Sequence, residues 1–449
     1  MVRTRIVGPH LWLPLATLTV MLSSFLVSKV IALLLGPEGV GYQAALLSLG
    51  TVIGALGLFG LDTALPKWMA TRPEVSPRKA WRLSLKMAAL TSAPALAVGL
   101  LVSIAILGGD FAFTTTAAGL TCLVVASVVA PIQRSHLALT QGSTTVAAVV
   151  ATGGAVSAAS TIFFLMIGGL PFLPLAVGLG ALVGQLSAQL VGAYFRRRGI
   201  YEPLPQAGGS GEHEPADDSL GSLLRLSGGY FATVGVSQLA LGILPFLVVA
   251  IAGPTVGGLF KATLALGALP LALTGSMVSY RIYPQFLVGE DHERVLRTHL
   301  PDVLLPVALA SSLVALLAGP LIQVFFTSEF RAAAAGLAVV SASSSARILQ
   351  SANTYLLLAR GRTPAIALSQ WSNALFTIAA ITIASLTGDV FVIAFMLLIA
   401  TVTGATVNEV ILRSKGHRGC LRLVMGSRHM LALVAVPTAV GLIAALFYR

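Results

Sequence analysis

The sequence predicts an all-α integral membrane protein, a bundle of about 12–13 transmembrane helices arranged as two pseudo-symmetric halves. Three observations carry that expectation. Apolar stretches at or beyond the ~20 residues that cross ~30 Å of hydrocarbon fill most of the 449 residues. None alternates with period two, and a bilayer core without water leaves only helices or closed barrels as spanning backbones. The basic residues fall almost entirely into alternate gaps between the stretches. Composition agrees, with 56% hydrophobic and 10% charged residues and a mean hydropathy of +0.91.

The predicted spans lie near 11–35, 40–65, 83–107, 112–132, 145–167, 172–194, 226–252, 255–285, 302–326, 332–359, 364–386, 390–412 and 429–447. The first follows Arg3 and Arg5 but is too long for a signal-peptide core and lacks a small-residue cleavage site, so it reads as an uncleaved span. Short connections such as Gly36-Pro37-Glu38-Gly39, Gly108-Gly109-Asp110, Gly168-Gly169-Leu170-Pro171, Gly253-Pro254 and Thr387-Gly388-Asp389 make helical hairpins on one side. The gaps on the N-terminal side hold 22 of the 28 basic residues, the other side only Arg331 and Arg449, and four more (Lys29, Lys261, Arg281, Arg347) lie within spans. Under the positive-inside rule this places the N-terminus in the cytoplasm, in a multi-pass protein of the cell membrane. The formal charge of +12 is therefore a topology signal, and no nucleic-acid partner is expected.

Gly199 to Ser219, with Gly208-Gly209-Ser210-Gly211 and five acids, reads as a flexible linker. The expected organisation is a six-helix bundle over 1–198, a linker over 199–225, a second bundle over 226–412, and a basic loop with an extra helix over 413–449. A gap-free internal match supports the division. Gly36 through Leu49 aligns with Gly253 through Leu266, with identities at Gly36/Gly253, Pro37/Pro254, Gly41/Gly258, Ala45/Ala262 and Leu49/Leu266. Six spans separate the copies, so the halves share an orientation and an axis along the membrane normal relates them.

The run Leu34-Leu35-Gly36-Pro37-Glu38-Gly39-Val40-Gly41-Tyr42, followed by Leu58-Phe59-Gly60-Leu61-Asp62-Thr63-Ala64-Leu65-Pro66-Lys67, resembles the N-terminal hairpin of polysaccharide and O-antigen flippases. These belong to the multidrug/oligosaccharidyl-lipid/polysaccharide superfamily. The resemblance implies two six-helix bundles around a central cavity, alternating access, and a polyprenyl-pyrophosphate-linked oligosaccharide as cargo. It also implies the lipid bilayer and other polysaccharide-assembly proteins as partners. Members usually have an even number of spans and both termini in the cytoplasm, whereas thirteen spans put Arg449 outside.

Ionisable groups inside a span are costly and mark functional sites by default. Arg347 is the deepest, in a span that also carries Ser341, Ser343, Ser344, Ser345, Gln350 and Asn353. A guanidinium grips phosphate oxygens bidentately, and hydroxyls and amides suit sugars. Lys29 and Lys261 lie ~9 Å below their helix ends, one in each half, where they could meet an anionic head group or snorkel outward. Arg281 lies near an inner end and snorkels. The acids are scarcer. Asp62, near Lys67, is a structural or coupling acid; Glu409, beside Asn408, is a second; Asp302 suits a helix N-terminus.

Basic rather than acidic deep charges separate the readings. A cation-coupled multidrug exporter needs deep carboxylates and aromatics, whereas an anionic cargo moving outward descends the membrane potential by ~2.3 kcal/mol per charge per 100 mV. A lipid II flippase of the same architecture remains an alternative. A membrane-bound glycan-processing enzyme is a weaker one, because the outer loops are short. His136, His292, His299, His417 and His429 have no metal spacing, no nucleophile pattern is present, and no cofactor is expected. Cys122 and Cys420 suggest neither a disulfide nor a metal cluster. Gly178, Gly180 and Gly184 follow no strand, so they are no dinucleotide fingerprint, and Gly180 and Gly184 read as helix-packing residues. The loop from Lys67 to Lys86, with Trp68 and Trp81, sets topology and anchors at anionic head groups.

Overall fold

The computed structural model describes residues 9–70, 75–107, 112–141, 143–197, 219–271, 278, 286, 292–359, 363–414 and 419–449. Every expected span is mainly helical over its described residues, and no strand occurs among them. Among the described residues, ten helices are long and apolar enough to cross a membrane. In chain order the elements are α1 (Pro9–Leu58), α2 (Leu61–Ala70), α3 (Pro77–Leu107), α4 (Phe113–Gln141), α5 (Ser143–Gly168), α6 (Leu173–Arg197), α7 (Leu220–Tyr230), α8 (Val236–Ala252) and α9 (Pro254–Gly267). They continue as α10 (His292–Leu316), α11 (Ala318–Phe325), α12 (Ala333–Ala342), α13 (Ser344–Ala359), α14 (Thr363–Ser385), α15 (Val390–Ser414), α16 (Cys420–Met425) and α17 (Arg428–Tyr448).

Several expected boundaries move, each for a local reason. The apolar part of α1 is 44 residues long, which at 1.5 Å per residue is about twice the hydrocarbon thickness. It is two spans joined by a kink at Gly36, whose φ of 63° and ψ of −163° suit glycine. The second span ends at Leu58 rather than residue 65, because Phe59 (φ 47°) and Gly60 (φ 77°) turn the chain. The linker ends earlier than residue 225. Ser219 caps α7 by accepting from the Ser222 amide, and residues 199–218 lie outside those described. One π-helical turn, Phe231–Gly235, joins α7 to α8. The span expected over 332–359 is interrupted at Ser343, where Ser341 and Ser343 hydroxyls bond back to the carbonyls of Ala338 (3.0 Å) and Val340 (2.7 Å). Such back-bonding competes with the ladder and bends helices.

The chain packs as two compact units, Met1–Val27 with Leu46–Ile243, and Ser28–Ala45 with Leu244–Arg449. This differs from a division at the linker alone, since residues 28–45 pack with the second unit. In the first unit, Phe59 stacks on Phe231 at 4.8 Å, and α6 packs closely on α4 and α5 through glycines. A Cβ on Gly180 would strike Thr161, and one on Gly184 the Gly153 carbonyl, as expected of packing residues. Trp68 is not a head-group anchor. It is fully buried, and its Nε1 donates to Ser222 Oγ at 3.2 Å.

In the second unit the two Gly-Pro turns meet. Gly253 also has positive φ (87°), with Pro254 opening α9 as Pro37 follows Gly36. A Cβ on Gly41 would collide with the Pro254 carbonyl, and a Cβ on Gly258 with the Pro37 carbonyl. Residue 41 aligns with 258 and 37 with 254, so the contact is reciprocal. Reciprocity of this kind is the mark of a two-fold relation. At the far end, Arg449 pairs with Asp389 at 3.3 Å and lies 4.8 Å over the Phe391 ring. Asp389 belongs to a turn on the side away from the basic loops, so α17 ends on that side, opposite its basic start at Arg428.

Candidate substrate-binding site

The apolar face of α13 is fixed first. Ile348, Leu349, Ala352, Leu356 and Leu357 are buried in a core that includes Leu296, Leu300, Leu304 and Val307 of α10. Fixing that face turns Arg347, Gln350 and Thr354 away from it, at helical spacing along one stripe. Arg347 is half-buried, and its guanidinium makes no hydrogen bond or ion pair among the described residues. It stands one turn past the Ser343 interruption, in a helix where the buried Ser345 hydroxyl also has no partner among the described residues.

Gln350 is close to an amide of the next helix. A Cβ on Gly404 of α15 would strike Asn373 Oδ1 of α14 and lie 3.1 Å from Gln350 Nε2, so both amides converge over that glycine. Asn408 Nδ2 reaches the Gln350 carbonyl at 3.5 Å. The buried oxygens Asn373 Oδ1, Asn408 Oδ1 and Ser369 Oγ have no hydrogen-bond partner among the described residues. Each such orphan costs about 1–3 kcal/mol unless something donates to it. A guanidinium on the same helical stripe as Gln350, with an amide from the next helix near that glutamine, offers groups suited to an anion attached to hydroxyl-bearing groups.

Asn353 does not join this stripe. It is fully buried; its Oδ1 accepts from the Cys420 amide at 2.8 Å, and its Nδ2 donates to Glu409 Oε2 at 3.5 Å. Glu409 in turn accepts from the amides of Gly419 (3.2 Å) and Leu421 (3.1 Å). Together they hold the first amides of α16, where a carboxylate is favoured by the helix dipole. Burial, reinforced by Glu409, pushes the Cys420 thiol well above its ordinary value. Asp62 interacts electrostatically with Arg134, and its carbonyl accepts from Ser135 at 2.9 Å; the Lys67 side chain lies outside those described. Asp62 thus belongs to the first unit and the α13 stripe to the second.

The three deep cations differ. Lys29 donates to the Val324 carbonyl in the last turn of α11, a cationic cap on a helix C-terminus. Lys261 Nζ is buried and has no hydrogen-bond partner among the described residues. Both lysines belong to the second compact unit rather than one to each half, and the repeat register pairs Lys261 with Ala44 and Lys29 with Phe246. Arg281 lies outside the described residues. Among the described residues no group of three or more His, Cys, Asp or Glu could hold a metal ion.

No protein-family model matches the sequence, and no curated protein does. Solved structures do match. A mutant of the Vibrio cholerae MATE transporter VcmN superposes with a TM-score of 0.61 at 11% identity, over 94% of this chain and 96% of that one. The lipid II flippase MurJ in an inward closed conformation gives 0.62 at 13% identity, over 98% and 97%. An outward-facing MATE transporter of the MOP superfamily gives 0.54 at 14% identity, over 95% and 96%. The fold is theirs.

Within that fold, Arg347 and Gln350 are the candidates that the sequence offered, while Asn373 and Ser369 were not among them. The signal available was the four-residue spacing of Ser369 and Asn373, which puts two polar groups on one face of an otherwise apolar helix.

Proposed function

We propose that this protein is a flippase that moves a polyprenyl-pyrophosphate-linked oligosaccharide outward across the cytoplasmic membrane by alternating access, for cell-surface polysaccharide assembly. One observation carries the reading: the Arg347 guanidinium, inside a span, has no partner among the described residues. A protein that retained it for packing alone would supply a carboxylate or carbonyl, because an uncompensated cation in the bilayer is costly. Here Arg347 receives the pyrophosphate, Gln350 and Asn373 meet adjoining sugar hydroxyls, and Lys261 is an auxiliary cation. No covalent chemistry is needed. The positive-inside rule places the N-terminus and the basic loops in the cytoplasm.

The test is complementation of cells depleted of the protein, with polyprenyl-pyrophosphate glycans profiled by mass spectrometry. Depletion should cause one completed repeat unit to accumulate. Arg347→Ala should fail to clear it at normal expression, while Arg347→Lys clears part. An unchanged glycolipid profile with new sensitivity to cationic drugs would replace this reading with a multidrug exporter. Accumulation of the peptidoglycan precursor instead would make the cargo lipid II, the cargo named for the structural neighbour MurJ.

A further inference from the structure

A second basic feature lies outside the α13 stripe and plays no part in the proposed transport. Between the start of α10 and the α16–α17 elbow is an open cleft of about 420 Å³ lined by Glu293, Arg297, Arg422, Leu423, Ser427 and Met430. Its level follows from sequence, since α10 begins at His292 and α17 at Arg428, both on the basic side. Arg297 is oriented by an ion pair with Glu293 at 2.5 Å. The exposed Arg422 guanidinium has no partner among the described residues. Ser427 caps α17, a 21-residue helix whose N-terminus adds positive potential at the cleft.

The surroundings are apolar and open. Met425 is 70% exposed and Leu431 45% exposed at the elbow itself. Leu305, Leu309, Leu313 and Leu316 form an exposed stripe that begins about two turns beyond Arg297 on α10. On the neighbouring α17, Ile443 and Leu446 are likewise exposed. Two arginines above a strip of unpaired leucine surface, at the level of a bilayer interface, match an amphiphile with an anionic head. Basic pockets between spans at the cytoplasmic side hold such head groups.

We infer that the cleft between α10 and the α16–α17 elbow binds an anionic phospholipid, its phosphate held by Arg422 and Arg297 and its acyl chains lying along the α10 leucine stripe. The shared chemistry is a phosphate monoester or diester. The leucines favour a lipid as its source over free phosphate. The site is separate from the transported cargo, so it stands whether or not the flippase reading does.

The test is native mass spectrometry of the detergent-purified full-length protein titrated with phosphatidylglycerol or phosphatidylcholine of identical chains. The wild type should retain phosphatidylglycerol at least tenfold more strongly. Arg422→Gln, an exposed position that leaves the fold intact, should cut that preference at least threefold. Arg297→Gln with Arg422→Gln should abolish it, and Arg422→Lys should restore part. Equal retention of the two lipids, or full preference in Arg422→Gln, would overturn the assignment. So would displacement of bound phosphatidylglycerol by millimolar inorganic phosphate, because that result identifies a free-anion site.

Discussion

The two Gly-Pro hairpins share a turn, a proline and a reciprocal crossing, yet their lysines stand in opposite conditions. Lys29, before the first turn, is bonded to the Val324 carbonyl at the end of α11. Lys261, after the second, ends in a buried Nζ with no hydrogen-bond partner among the described residues. Distance from the turn is nearly the same for both, so it does not reveal which lysine is engaged by the protein. What separates them is the presence or absence of a helix C-terminus within reach. The same distinction divides α13, where Asn353 is held by Glu409 and the Cys420 amide, while Arg347 has no partner among the described residues.

The comparison can be broken most severely at the crossing that the hairpins share. Gly258→Leu would drive a side chain into the Pro37 backbone and cost about 3 kcal/mol or more, beyond ordinary overpacking because a backbone cannot repack. The expected readout is a fall of several degrees or more in the unfolding temperature, with loss of monodisperse protein. A wild-type melting curve would mean that the hairpins do not cross there. Next comes the engaged side of the comparison. Glu409→Ala strands the Gly419 and Leu421 amides, at about 1–3 kcal/mol each, and releases α16. Maleimide labelling of the buried Cys420 should rise at least tenfold; labelling that stays slow would show that the clamp is not what protects it.

Smaller effects distinguish the lysines themselves. Lys261→Met removes an unpartnered buried cation, so its unfolding temperature should hold or rise by a few degrees while glycolipid clearance falls several-fold. Clearance at the wild-type rate would confine Lys261 to a passive role. Lys29→Met should show the reverse, losing about 0.3–1 kcal/mol of helix-terminus interaction with at least half of clearance retained. If Lys29→Met proved the more damaging to clearance, the contrast between the hairpins would be inverted.

The spans were legible because each is a self-sufficient run: twenty apolar residues must form a helix in hydrocarbon whatever surrounds them. The turns at Gly36-Pro37 and Gly253-Pro254 were legible for a similar local reason. The grouping of residues 28–45 with residues 244–449 was not, because it depends on packing across two hundred residues of chain. The contacts of Asn353 and Glu409 were not legible for a related reason. Their partners are backbone amides at 419–421, and a backbone amide leaves no mark in a sequence. Arg347 could be selected from its depth. The interruption at Ser343 could not, although the serine run that causes it was in plain view.

The glycine crossing has a consequence in genetic terms. The atoms that exclude a side chain at residues 41 and 258 are the carbonyls of Pro254 and Pro37, which every amino acid would present alike. A large residue obstructing a cavity can be relieved by trimming the neighbour, but here there is no neighbouring side chain to trim. A damaging substitution at either glycine should therefore yield revertants at its own codon, and no compensating change among the residues it touches.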